Sequence, residues 1–248
     1  MRIASTNKTS IPFNEVHTNY VNRHGIYVPS VTTVIKVINK ESLIYWANSL
    51  GWNKKSVKKE LDTASTIGTY SHNIVESIIV NTSYKGLINE VKKFDNEKIK
   101  KICNSVNSFK SWWTINKEFF EIIDIEKSLV CDEYGGTVDI ICKYKGKLVI
   151  LDLKTSSDFY FNMFIQLAAY AHLYYITTGE LIEDVGILRL NKKNGNEAEL
   201  LMMSELPGND MNYYYTIYNR ALDLYRYLHV LEADWEEFKN NKKRGILI

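Results

Sequence analysis

Apolar and polar positions along this chain follow two different spacings. Over residues 135–155, GGTVDIICKYKGKLVILDLKT, runs of Val, Ile and Leu flank a turn at Tyr144-Lys145-Gly146-Lys147, which predicts a strand hairpin. Centred on Lys145-Gly146, as a two- or a four-residue loop, the hairpin pairs residues whose numbers sum to 291. Asp139 then faces Asp152, Ile141 faces Ile150 and Thr137 faces Lys154, all on one side of the strands. Val138, Ile140, Val149, Leu151 and Leu153 turn to the other side.

Elsewhere the spacing is helical. Ser30 caps a helix expected over 31–40, after an irregular or hairpin-forming lead-in at 13–29 whose His17 and His24 read as ordinary surface or turn histidines. Over 63–80, Ile67, Ile74, Val75 and Ile78 form an apolar face, while Gly68, His72 and Glu76 lie on a separate i, i+4 stripe. The glycine one turn before His72 would let another backbone or a DNA strand come close. Residues 86–120 read as helical and polar, with Phe109, Trp112 and Trp113 as packing residues near the end. A strand over 119–130 carries Glu126, a helix over 160–177 carries Gln166 and Tyr170 on one face, and a strand over 184–192 carries Arg189 with Lys192 at its end. A final amphipathic helix spans 211–240, with Ile217, Ala221, Leu224, Leu228 and Leu231 at helical spacing. This order of elements predicts the α/β class, a small mixed sheet flanked by helices.

At 248 residues, 45% apolar and 24% charged, with no repeat or low-complexity linker, one domain over 1–248 is expected: lead-in and helices over 1–62, a core over 63–190 and a helical closure over 191–248. No apolar run reaches the roughly 18–20 residues that span a bilayer, and the first ten residues lack a signal-peptide core, so a cytoplasmic protein with no membrane partner is expected. Cys103, Cys131 and Cys142 are scattered, which suggests neither a disulfide framework nor a zinc finger. A net charge of +2 is no general nucleic-acid signature, so DNA binding would depend on local basic groups. Arg189 and Lys192 are candidates for a phosphate contact.

The facing aspartates are the chemical feature of the hairpin. Two carboxylates with Cβ atoms roughly 4.5–5.5 Å apart repel, and a divalent cation between them reverses that sign. Hard oxygen ligands suit Mg2+ or Mn2+. Lys154, on the same side, can orient a water or neutralise a phosphate oxygen, and metal plus ammonium beside a phosphate is equipment for phosphodiester hydrolysis.

Asp139 followed by Asp152-Leu153-Lys154 resembles the PD-(D/E)XK nuclease core, restriction-endonuclease-like in fold, and GGTVDI…LVILDLKT…QLAAY is similar to its RecB-like exonuclease branch. Gln166 and Tyr170 match that branch's Gln-x3-Tyr motif, Gly68, His72 and Glu76 match its upstream G-x3-H-x3-E pattern, and Val138 stands where the family name has proline. YVPSVTTVI with Trp46-Ala47 downstream is similar to the start of phage-type and mitochondrial genome-maintenance exonucleases, and the resemblance covers 28–190.

The resemblance implies a metal-dependent DNA exonuclease, acting on single-stranded DNA or DNA ends in phage or mobile-element replication, recombination or repair, in the host cytoplasm where a phage encodes it. It implies one or two Mg2+ or Mn2+ ions on Asp139, Asp152, His72 and the Leu153 carbonyl, with Asp139, Asp152 and Lys154 catalytic. Glu76 would support these ligands or a second ion, Gln166 and Tyr170 would place the DNA or the lysine, and Glu126 would support the sheet. DNA is the implied partner, with recombination or replication proteins beside it. Some relatives hold an iron–sulfur cluster on four cysteines, and three cannot do so here. A structure-selective or restriction-type endonuclease on the same core, an inactive nucleic-acid-binding module and a metal-free structural protein are the alternatives.

Overall fold

The computed structural model describes residues 20–38 and 41–243. His17 lies outside them. A small antiparallel hairpin, β1 (Tyr20–Val21) and β2 (Tyr27–Val28), leads into α1 (Val31–Ile35), α2 (Glu41–Trp52), α3 (Val57–Ile79), α4 (Lys85–Val91) and α5 (Asn96–Asn116). A 3-10 turn (Lys117–Phe119) opens β3 (Phe120–Val130), followed by β4 (Gly135–Tyr144), β5 (Lys147–Lys154), α6 (Phe161–Thr178), β6 (Asp184–Arg189), β7 (Glu199–Met202) and α7 (Met211–Lys243).

The five larger strands form one mixed sheet in the order β3-β4-β5-β6-β7, flanked by helices. Every neighbouring pair is antiparallel except β5 and β6, which α6 connects as a crossover. Lys145 and Gly146 both take positive φ, 51° and 83°, the signature of a two-residue type I′ turn. That turn fixes the β4–β5 register, and all five paired positions, from Tyr144↔Lys147 to Ile140↔Leu151, sum to 291 as predicted.

Each face of the sheet buries a core. Ile141, Ile150, Val185 and Ile187 pack with Val34 of α1, Phe164 and Ala169 of α6 and Tyr218 of α7. Ile140, Cys142, Val149, Leu151, Leu153 and Leu188 pack on the other face with Val75 of α3 and Phe109 and Trp112 of α5. Val138 departs from its expected side and joins the first core, in the stretch beyond the last β4–β5 pair where β4 is paired with β3 alone. Phe109, Trp112, Trp113, Phe120 and Tyr144 pack against one another, which bears out packing as the role of Phe109, Trp112 and Trp113. A third cluster, Ile67, Ile74, Val91, Ile102 and Val106, ties α3 to α4 and α5.

Ser30 Oγ accepts the Thr33 N–H as the expected cap, but α1 ends at Ile35 rather than at residue 40, and residues 39–40 lie outside the described ones. α3 starts at Val57, ahead of the predicted 63, because Ser56 caps a first turn whose exposed polar residues carry no apolar periodicity. The stretch 86–120 is two helices, since Asp95 accepts the Lys98 N–H at 2.9 Å and starts α5 afresh. The C-terminal helix runs to Lys243, and β7 is an edge strand with no predicted counterpart. Among the described residues no helix is long and apolar enough to cross a membrane.

Two glycines open β4 because rings lie on the strand. A Cβ at Gly135 would stand 2.4 Å from the Tyr20 ring, and one at Gly136 would stand 2.4 Å from Cε1 of Tyr170. Gly136→Ala must therefore displace a fully packed ring, and it should lower unfolding stability by about 1–3 kcal/mol in urea denaturation. Gly86→Ala in α4, where a Cβ meets open space, should be neutral or mildly stabilising. Equal effects of the two changes would contradict this packing.

Candidate active site

The backbone ladder between β4 and β5 ends at Ile140↔Leu151, and the strands part just where the two aspartates follow. Asp139 Oδ2 fills the gap by accepting the Leu153 N–H at 2.7 Å, so a side chain replaces the missing backbone acceptor. The Leu153 carbonyl lies on the same side of its strand as that N–H and therefore also faces β4. Asp152 is 2% exposed. Its Oδ2 forms an ion pair with the Lys154 ammonium, and its Oδ1 accepts from Gln166 Nε2 at 3.1 Å. The same amide nitrogen donates to the Tyr170 hydroxyl at 3.1 Å, one turn further along α6. The α6 spacing of four residues thus aims one polar stripe at the end of β5, while Leu167, Ala168 and Ala169 stay in or against the core.

From the opposite side α3 brings His72, whose Nδ1 lies 3.8 Å from Asp139 Oδ2, and one turn later Glu76. Glu76 Oε1 is buried without a hydrogen-bond partner, and the Glu76 carboxyl also meets Glu126 of β3. Glu126 takes φ 52°, uncommon for a non-glycine residue, and its neighbours' pairing, Ile125↔Ile140 and Lys127↔Val138, sets it opposite Asp139. Its membership of the acidic group goes beyond the sheet support expected of it. The signal is the cross-strand register of β3 on β4, which needs the Cys131–Tyr134 turn to be known. Gly68 meets only Thr155 Oγ1, at the ordinary distance of 3.7 Å from an added Cβ, so no close backbone approach requires it.

Burial dominates the electrostatics. It raises the Asp139 and Asp152 carboxyls to about 6 against the opposing pull of Lys154. It also lowers the His72 imidazole to about 4, with Lys154 pushing the same way, so this ring is neutral at pH 7. Burial and then Glu126 push Glu76 up to about 8. Burial by itself would lower the Lys154 ammonium, but Asp152 and Asp139 together hold it above the ordinary lysine range. The Tyr170 phenol is pushed well above its usual value by burial and the two aspartates, so it stays protonated.

The structure therefore brings together Asp139, Asp152, Leu153, Lys154, His72, Glu76, Gln166 and Tyr170, and adds Glu126. Arg189 pairs with Lys154 across the parallel strands, but its guanidinium is engaged by Glu199 and by the Ser157 carbonyl and lies over the Phe159 ring. Lys192 sits in the loop beyond. His24 is an exposed neighbour of Asp132. Among the described residues no three His, Cys, Asp or Glu side chains enclose a metal position by themselves. The buried Asp152, the partly exposed Asp139 and the orphaned Glu76 oxygen are nonetheless the hard oxygen donors that Mg2+ or Mn2+ takes, and Mg2+ commonly uses one or two carboxylates with waters filling the rest.

No protein-family model matches this sequence, and no curated protein matches it. A crystal structure from Eubacterium rectale, of a protein named "Putative exonuclease", is similar at a TM-score of 0.47 and 14% identity, over 69% of this chain and 68% of that one. So distant a likeness assigns no activity.

The raised carboxyls have a definite effect on stability. The folded protein keeps protons on Asp139, Asp152 and Glu76 that the unfolded chain has released, so stability falls as pH rises, from about 4 to 6 for the aspartates and up to about 8 for Glu76. His72 works the other way, its contribution being lost as pH falls from about 6.5 to 4. In chelator, the thermal midpoint should fall between pH 6 and 8, and Glu76→Gln should flatten that slope. A flat wild-type profile would disprove the buried acidic pairing.

Proposed function

We propose that this protein is a metal-dependent DNA exonuclease that hydrolyses phosphodiester bonds of single-stranded DNA or of DNA ends. The observation that carries the reading is a pair of aspartates at the parting of two strands, Asp152 buried and Asp139 largely so, with an ammonium beside them. Nucleic-acid binding alone requires no paired acids, and burying them without a counter-charge is costly.

Asp139 and Asp152, with the Leu153 carbonyl, would hold Mg2+ or Mn2+, and His72 and Glu76 line the same opening. The bound cation supplies Lewis-acid polarisation of the phosphate and a water of lowered pKa. Asp139 accepts from the Leu153 amide, which fixes both the carboxylate and the strand end. Lys154 keeps its proton, and its ammonium can move from Asp152 to a phosphate oxygen as charge builds there. Gln166 fixes the Asp152 carboxylate and is itself held by Tyr170, leaving the reactive oxygens oriented before substrate arrives.

The test is digestion of circular single-stranded, linear single-stranded and linear duplex DNA, end-labelled, with Mg2+, Mn2+ or EDTA. Metal-dependent loss of linear DNA alone is expected; nicking of the circle would make the protein an endonuclease, and no cleavage with either metal would end the nuclease reading. Asp152→Asn should lower the rate by roughly a hundredfold or more while DNA still binds, and Lys154→Ala should slow the chemical step by a similar factor at saturating metal. Full activity in Asp152→Asn would remove the site assignment.

A further inference from the structure

A second basic feature opens beside this site, at the carboxyl ends of the two parallel strands. The ends of β5 and β6 and the loops after them form a cavity of about 270 Å3, lined by Ser156 and Ser157 from the first loop, by Arg189 at the end of β6 and by Asn191, Lys192 and Lys193 from the second loop, with no carboxylate in its wall. Crevices at the carboxyl ends of parallel strands are where α/β sheets bind ligands. Lys154 is not in the cavity wall but is linked to it through the backbone, since it pairs with Arg189, which lines the cavity, and its carbonyl accepts the Leu190 N–H at 2.7 Å.

The charges lining the cavity are unbalanced. Arg189 is neutralised by Glu199, whereas no ion pair among the described residues engages Lys192 or Lys193. Lys192 is partly buried, and burial together with the Lys101 and Lys193 ammoniums holds its pKa below the lysine range. An anion in the cavity relieves that crowding. The loop is also built rather than slack: Asn104 Nδ2 of α5 donates to the carbonyls of Lys192 at 3.2 Å and Lys193 at 2.8 Å. Asn191 N–H donates to Ser108 Oγ at 2.9 Å, and Asn191 Oδ1 accepts the Lys193 N–H at 3.1 Å. A preformed wall reduces the ordering cost of binding.

We propose that this cavity is a subsite for a phosphate group of the bound nucleic-acid strand, held by the Lys192 and Lys193 ammoniums with the Ser157 hydroxyl, the Ser156 hydroxyl being donated to the Asp158 carbonyl. The proposal rests on the nuclease reading for its ligand, because a strand whose scissile phosphate lies at Lys154 carries further phosphates past the ends of β5 and β6. The same chemistry is offered by an internal phosphodiester and by a terminal phosphomonoester, and the two are separable.

The full chain bearing Asp152→Asn, in EDTA, is titrated with labelled single-stranded oligonucleotides that are unphosphorylated, 5′-phosphorylated or 3′-phosphorylated, over a range of salt. Affinity is read by fluorescence anisotropy. Adding Lys192→Gln and Lys193→Gln should weaken binding roughly tenfold and reduce the salt slope by about 0.7, the share of one phosphate no longer neutralised. A control pair, Lys242→Gln and Lys243→Gln at the end of α7, should change neither by as much. Weakening on all three oligonucleotides marks an internal phosphodiester; weakening confined to one phosphorylated end marks a terminal phosphate and gives the polarity of the site. Lys193→Gln alone, in an exposed position, repeats the test should the double change disturb folding. Unchanged affinity and slope, or no nucleic-acid binding by the parent, overturns the subsite. Inactivity of the wild-type chain with metal, alongside a lysine-dependent salt slope, would instead overturn the nuclease reading and leave the subsite standing.

Discussion

The parting of β4 from β5 is the constraint on which the site depends. Continued pairing would have given each strand its backbone partners and left two aspartates crowded across an ordinary ladder. Instead the ladder stops at Ile140↔Leu151, and Asp139 supplies the acceptor that Leu153 would otherwise lack. One carboxylate thereby serves the backbone at the position where charge is hardest to hold, and both aspartates are raised toward neutrality by their burial. Lys154 offsets this only in part.

Everything around the gap restrains the same few atoms from different directions. α6 brings Gln166 and Tyr170 from one side of the sheet, and α3 brings His72 and Glu76 from the other. The Tyr170 ring can lie where it does because Gly136 has no side chain, so the glycine in the strand and the tyrosine in the helix are one packing unit. The core on each face is complete up to the gap, which makes the polar cluster a rim feature of a rigid sheet rather than a loop construction.

The hairpin was legible in the chain because two apolar runs and a turn with glycine set the register. That register holds from Tyr144↔Lys147 to Ile140↔Leu151 and brings both aspartates to its end, although the direct pairings expected of Asp139 with Asp152 and of Thr137 with Lys154 do not form. Gln166 and Tyr170 were legible for the similar reason that their four-residue spacing on an apolar helix admits one shared face. What escaped was set by contacts distant in sequence. The first turns of α3 are exposed and lack apolar periodicity, the start of α5 depends on the Asp95 cap, and β7 is a four-residue edge strand recognisable by its pairing with β6. Val138 lies beyond the last β4–β5 pair, where β4 is paired with β3 alone and strand alternation does not hold, and Glu126 joined the acidic group through the β3–β4 register.

The bulge in β3 has a further meaning. Phe120 faces Tyr144 in one register and Val130 faces Gly135 in another, and the irregularity between Ile122 and Asp124 reconciles the two. β3 is therefore two segments out of phase by one residue, joined like rails at an expansion gap. One segment answers to the stacked aromatic rings at the hairpin end, and the other answers to the turn that brings Glu126 to the acids. Length changes near Ile123 can be absorbed at the joint without resetting the half that serves the site, so this strand tolerates drift in one half while keeping alignment in the other.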